Sequence, residues 1–176
     1  MTGCQKLVEL GRRQFLRSGA AAAAGVAAAT AVSSTPAKAA VSAARVSYPA
    51  NRLANLKDLT VNEPLQIAYP DSDSPGVLIK LGTRVPGGAG PDGDLVAYST
   101  LCPHKGFPLA YDGRDRTLSC PGHFSRFDTE KEGQQIWGHA TQNLPMFRLA
   151  VDAAGDITAV GTDELIYGRT RNVLQG

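Results

Sequence analysis

From residue 41 onward the apolar positions come in short runs broken by turn chemistry, and the pattern predicts strands rather than helices. The runs are "LQIAYP" (65–70), "GVLIKLG" (76–82), "DLVAYST" (94–100), "TLSC" (117–120), "MFRLAVD" (146–152) and "DITAVG" (156–161). Each is too short for a helix, and several alternate apolar with polar residues, as a strand with one buried face does. Between them lie "DSDSPG", "PGGAGPDGD", "DGRD" and "DAAGD", clusters that favour turns; the last is short enough to close a tight hairpin. Asn51 to Leu59 reads as a short helix or turn, "TDELIYG" (162–168) is ambiguous, and the glycine-rich stretch 86–93 reads as a mobile or partner-facing loop. The expected fold class is all-β, an antiparallel barrel or sandwich, in one domain over residues 41–176.

Residues 1–40 follow a different pattern. A charged start leads into an alanine-rich, weakly apolar middle from Ala20 to Val32 and a small-residue end at Ala37-Lys38-Ala39, the layout of a signal peptide. Arg12-Arg13 followed by Gln14, Phe15 and Leu16 resembles the twin-arginine export signal, with Gly11 where Ser or Thr is more usual. This implies a periplasmic protein that crosses the membrane already folded, which suits a chain that must first receive a metal cofactor. The apolar middle is shorter than the roughly 20 residues that span a bilayer, so cleavage near Ala39 is expected and no stable membrane span; retention as an anchor stays open. Cys4 precedes the apolar segment and leaves with the leader.

Removing the leader changes the charge reading. The whole chain carries +2, but Lys6, Arg12, Arg13, Arg17 and Lys38 stand against Glu9 alone in the first 40 residues. The remainder has 13 basic and 15 acidic residues, so a nucleic-acid partner is not expected.

Two cysteines then remain, each in a turn after a strand and each beside a histidine: Cys102-Pro103-His104 and Cys120-Pro121-Gly122-His123. Two thiolates and two imidazoles on two loops can hold a [2Fe–2S] cluster asymmetrically, Cys102 and Cys120 on the inner iron, His104 and His123 on the outer. Neutral imidazole in place of anionic thiolate raises the potential, into a range of about −150 to +300 mV. Two other readings use the same residues. A structural Cys₂His₂ zinc site fits the ligand set, although zinc fingers pair like with like rather than alternating. A Cys102–Cys120 disulfide is the ordinary expectation for an exported protein, and it leaves both histidines unexplained.

"CPHKGF…CPGHFS" resembles the cluster-binding boxes of Rieske iron–sulfur proteins, and the strand pattern from about 59 to 161 resembles their all-β fold, with a cluster-binding loop subdomain at about 100–127. The leader, the short length, "YPANRLANL" and "GHATQNLPMFRLAVD" are similar to the small subunit of arsenite oxidase. The resemblance implies a non-catalytic electron-transfer subunit, paired with a large molybdopterin and iron–sulfur subunit and delivering electrons to a cytochrome c or similar acceptor. Many Rieske proteins tie the two loops by a disulfide; the matching positions are Phe107 and Gly122, so Phe107 is expected to pack over Gly122 and shield the cluster. Ser125 matches the family serine that donates to a bridging sulfide. Phe127 stands where high-potential members have a tyrosine that donates to a cysteine sulfur, which implies a lower potential than in quinol-oxidising relatives.

A quinol-oxidising cytochrome complex is the alternative setting, but it calls for the missing tyrosine and disulfide. An oxygenase needs two further histidines for its mononuclear iron, and only His139 remains. His139 reads as a loop histidine, since a third imidazole exceeds the ligand count, with a contact near the cluster as the functional reading. Trp137 reads as core or interface packing, Pro145 as fixing the loop over the cluster, and Lys105 as a solvated side chain or a charge that orients a partner.

Overall fold

The two most apolar runs of the chain pair as neighbouring antiparallel strands and are buried on both faces. In the computed structural model, which describes residues 47–173 within a unit from Arg45 to Gly176, the regular elements follow in chain order. They are β1 (Asn51–Asn55), a one-turn 3₁₀ helix (Leu56–Asp58), β2 (Pro64–Ala68), β3 (Pro75–Lys80), β4 (Leu95–Ser99), β5 (Ala110–Asp112), β6 (Thr117–Ser119), β7 (Arg126–Asp128), β8 (Gln134–Trp137), β9 (Phe147–Val151) and β10 (Asp156–Thr162). The leader assigned to residues 1–40 lies outside the described residues.

Three antiparallel sheets result, ordered β1-β10-β9, β2-β3-β4 and β5-β6-β7-β8. The middle sheet is the shared wall. Successive side chains of a strand point to opposite faces, and here Val77, Ile79, Val96 and Tyr98 join one core while Leu78, Leu95 and Ala97 join the other. The second core is completed by Ala54, Phe147, Ile157, Ala159 and Ile166 around the β1-β10-β9 sheet. The first contains Leu118, Phe127, Leu144 and both cysteines, so the candidate ligands Cys102 and Cys120 are rooted in packed hydrophobic interior. Truncating a side chain such as Ile79 to Ala would cost about 2–5 kcal/mol. Tyr98 spans that core and its hydroxyl donates to the Thr129 carbonyl at 3.0 Å.

The all-β architecture matches the expectation, the helix-or-turn reading of 51–55 is corrected, and the stretches at 86–93 and 163–168 take defined forms. Residues 51–55 form an edge strand, because they pair with β10; only Leu56–Asp58 turn helically, behind an Asn55 cap that accepts from Lys57 N at 3.2 Å. The glycine-rich loop is closed on itself, by Val85 N to Gly93 O at 3.0 Å, Gly88 N to Val85 O at 3.1 Å and Ala89 N to Leu95 O at 2.9 Å. Residues 163–168 form no regular element and belong to a C-terminal loop anchored by its side chains. No helix among the described residues is long and apolar enough to cross a membrane.

Candidate metal centre

Two loops follow β4 and β6, and they share one hydrogen-bond framework. In the first, Cys102 N donates to Phe107 O at 2.9 Å and Gly106 N to Cys102 O at 2.7 Å; in the second, Cys120 N donates to Ser125 O at 2.8 Å and Phe124 N to Cys120 O at 3.1 Å. Each cysteine thus accepts from the residue four ahead and donates to the residue five ahead. The residue four ahead is left-handed in both loops, Gly106 at φ +69° and Phe124 at φ +60°. The framework turns each loop back over its cysteine, which is why both thiols are buried while the histidines sit at the rim.

The donors come together as pairs. Cys102 and Cys120 are both free, which removes the disulfide reading, and their thiols lie within hydrogen-bonding reach of each other. The His104 and His123 rings have centroids 4.7 Å apart at 74°. In both rings Nδ1 is buried without a hydrogen-bond partner. A buried unpaired nitrogen costs stability unless something accepts its lone pair, so the orphaned Nδ1 atoms mark the positions of ligands. Among the described residues no three Cys, His, Asp or Glu side chains converge on a single ion. Two thiols and two outward imidazoles arranged as pairs fit a two-iron cluster.

Ionisation suits the same role. Burial pushes the Cys102 thiol up and the Cys120 thiol adds to this, while the N–H groups of His104 and Lys105, bonded to Cys102, oppose it. A coordinating metal deprotonates such a thiol outright. Burial, followed by the neighbouring His123, Lys105 and His139, holds the His104 imidazole below its ordinary value, which favours the neutral ring that a metal ligand must be.

Residues 51–148 match the Rieske [2Fe-2S] domain. The chain belongs to the Rieske [2Fe–2S] family. The Rieske chain is 40% identical over 168 residues to the iodate reductase subunit IdrB of Denitromonas iodatirespirans, spanning 93% of this chain and 86% of the relative. It is 37% identical over 163 residues to the IdrB of Pseudomonas sp. (strain SCT), spanning 90% and 82%. Among solved structures, the soluble domain of Rieske protein II (soxF) from Sulfolobus acidocaldarius aligns with a TM-score of 0.61 at 25% identity, covering 71% of this chain and 84% of that one.

Within this Rieske centre the supporting residues expected from sequence lie in the cluster loops or the strand that follows them. The hydroxyl oxygen of Ser125, wholly buried, accepts from Ala140 N at 2.9 Å, which leaves its own hydrogen to donate. Phe127 is fully buried in the core that contains both cysteines. The Phe107 ring packs on Gly122: a Cβ there would lie 2.9 Å from Phe107 Cδ2 and 3.0 Å from Cγ. Pro145 ties the loop after β8 to the end of β4, its carbonyl accepting from Ser99 N at 2.9 Å.

His139 lies in the loop after β8, and its geometry favours the functional reading, a contact near the cluster. Its ring lies 5.8 Å from that of His104, nearly parallel, and 5.9 Å from that of His123. Trp137 is not core: it is 68% exposed, and Phe124 is 72% exposed. These two aromatics stand in the walls of two adjoining open clefts. One, about 510 Å³, reaches Ser119, Cys120 and Arg126; the other, about 410 Å³, reaches His123, Gly138 and His139. Sequence reasoning passed over Phe124, and the available signal was a bulky residue at the left-handed position that glycine fills in the first loop.

Proposed function

We propose that this Rieske chain is the electron-transfer subunit of a periplasmic oxidoreductase, in which a large molybdopterin subunit transforms an oxyanion and the chain carries electrons singly between it and a cytochrome c-type partner. Cys102 and Cys120 hold the inner iron and His104 and His123 the outer, and the export signal in residues 1–40 carries the folded, loaded protein across the membrane. The observation that carries the electron-transfer reading is the pair of buried, unpartnered Nδ1 atoms behind two half-exposed rings. When bound, the cluster supplies a one-electron store. The chain's own residues bury its thiolate side and present the imidazole edges, with Lys105 beside them, to whatever docks.

Iodate is the first substrate to test, because near-full-length relatives are iodate reductase subunits. Arsenite is the second, on the motifs shared with the small subunit of arsenite oxidase. The two differ in direction. Arsenite oxidation releases an electron pair that leaves through the Rieske chain, whereas iodate reduction draws electrons in through it. Relatives named as cytochrome bc1 Rieske subunits match over a shorter stretch, 39% of this chain for that of Corynebacterium diphtheriae.

The chemistry of the rim supports a protein partner. Four of the five basic residues from Leu101 to Asn143 are already paired, Arg114 with Asp112, Arg116 with Glu130, Arg126 with Asp115 and Lys131 with Asp128. The fifth, Lys105, stands exposed beside His104; the other exposed groups around the rings are aromatic, and exposed Trp and Phe are what interface cores are made of. The test uses the complex isolated from the periplasm by a tag on this chain. In the iodate reading, iodate abolishes the electron paramagnetic resonance of the pre-reduced cluster within turnover time and arsenite leaves the oxidised cluster silent. In the arsenite reading the responses are reversed. A complex unresponsive to both anions overturns the oxyanion assignment.

A further inference from the structure

The C-terminal loop after β10 reaches the first cluster loop, and it is built rigidly. Ile166 is buried, and its N–H donates to Asn172 Oδ1 at 2.9 Å. Asn172 Nδ2 donates to Glu164 O at 2.8 Å and to the Tyr48 hydroxyl at 3.2 Å. Arg169 grips Asp71 through both terminal nitrogens, each at 2.7 Å. Between the buried Ile166 and the anchored Arg169 stands Tyr167, partly exposed, and its ring lies on Gly106. A Cβ at Gly106 would fall on Tyr167 Cε1 and come within 2.6 Å of Cδ1.

We propose that Tyr167 is a positioning residue for the cluster: its ring clamps the first loop at Gly106, whose N–H bonds the Cys102 carbonyl, and so fixes the backbone that carries Cys102 and His104. The second loop is held differently, by backbone. Gly138 approaches it so closely that a Cβ would sit 2.7 Å from the Phe124 carbonyl carbon, and Ala140 N bonds Ser125. The first loop is closed by bonds within itself and held outward by two rings on two glycines, Tyr167 on Gly106 and Phe107 on Gly122. Gly106 precedes Phe107, so the C-terminal loop presses on the first loop and the first loop on the second.

The consequence is electronic. Hydrogen bonds to a ligating sulfur favour the reduced, more negative cluster. A first loop freed of its clamp lets the following backbone N–H groups draw away from Cys102, and the potential falls. The contact is made by ring carbons, so the hydroxyl is dispensable. The inference rests on the cluster and not on which anion the complex transforms.

The test compares Tyr167→Ala, Tyr167→Leu and Tyr167→Phe in the full, cluster-loaded chain by redox titration and by iron release to a chelator. Tyr167→Ala is expected to lower the midpoint potential and to release iron about fivefold faster, the factor by which a modest loss of local stability raises an open population. Tyr167→Phe is expected to match the unsubstituted protein, and Tyr167→Leu to fall between and to stand in if the alanine variant does not load. An unchanged potential in Tyr167→Ala, even with a lower melting temperature, overturns the proposal. So does a Tyr167→Phe variant that behaves like the alanine one, because the hydroxyl would then be the active group.

Discussion

Phe107 lies against Gly122, so that the ring of one cluster loop occupies the space where a side chain on the other would begin. The Cβ of an alanine at 122 would stand 2.9 Å from Phe107 Cδ2, closer than packed carbons tolerate. Gly122 is not in the left-handed region, so glycine is needed here for room rather than for backbone freedom. Gly122→Ala should therefore act as overpacking and cost about 1–3 kcal/mol, read as a lower unfolding midpoint and faster loss of iron. Phe107→Ala in the same chain should restore part of the loss.

The contact stands where many Rieske proteins have a disulfide. If apolar cover is an adequate substitute, Phe107→Cys with Gly122→Cys should leave the midpoint potential and melting temperature close to those of the unsubstituted protein. A large rise in either would show that the ring is the weaker device.

Ser125 and Phe127 bear on the potential in opposite directions. A hydrogen bond about 1.4 kcal/mol stronger in the reduced state moves a one-electron couple by ~59 mV. Ser125→Ala should lower the potential by tens of millivolts on that scale, and it also orphans Ala140 N–H in buried surroundings. Phe127→Tyr places a donor in the core beside the cysteines and should raise the potential. Potentiometry of the two variants checks both signs; if neither moves it, hydrogen bonding to sulfur is not the lever.

Phe124 combines exposure with a left-handed backbone, which costs a residue with a side chain about 1–2 kcal/mol. Phe124→Gly should stabilise the isolated chain and weaken its complex with the large subunit. Trp137→Ala should weaken the complex about tenfold or more without that gain, as loss of an interface tryptophan does. Denaturant melts and affinity measurements separate the two effects.

Acid should loosen the edges before the core. The Arg169 guanidinium holds the Asp71 carboxyl below its usual value, and Arg52 with Asn55 holds Asp156 at about 2. A carboxyl depressed in the folded state binds its proton more readily when unfolded. Its contribution is therefore full above the unfolded value of about 3.9 and is lost as pH falls through the folded one. The melting temperature should be flat above about pH 5 and decline toward pH 2, with a shallower decline in Asp71→Asn and Asp156→Asn. Both pairs are part-exposed, so salt should reduce the difference between variant and parent.

Much of this was legible in the sequence, and the parts that were not have physical reasons. The six apolar runs became β2, β3, β4, β6, β9 and β10 because turn chemistry bounded each of them. β5, β7 and β8 are short and carry charged or amide side chains, AYD, RFD and QQIW, that break up the apolar pattern. The Phe107–Gly122 contact was expected, because a family pattern named both positions. His139 was placed near the centre only as the second of two readings, and Tyr167 not at all, since each is brought there by a loop without periodicity. A histidine beyond the ligand count and a tyrosine 47 residues past Cys120 carry no local sign that they lie against the cluster loops.

The account turns on two imidazoles and two thiolates sharing one pair of irons. Pulsed electron paramagnetic resonance of the dithionite-reduced full chain, beside iron, sulfide and zinc analysis, tests this most directly. The predicted result is a single-electron signal coupled to two histidine nitrogens, with equal iron and sulfide, and loss of one coupling in His123→Cys. A silent spectrum with stoichiometric zinc, or a signal without nitrogen coupling, would contradict it.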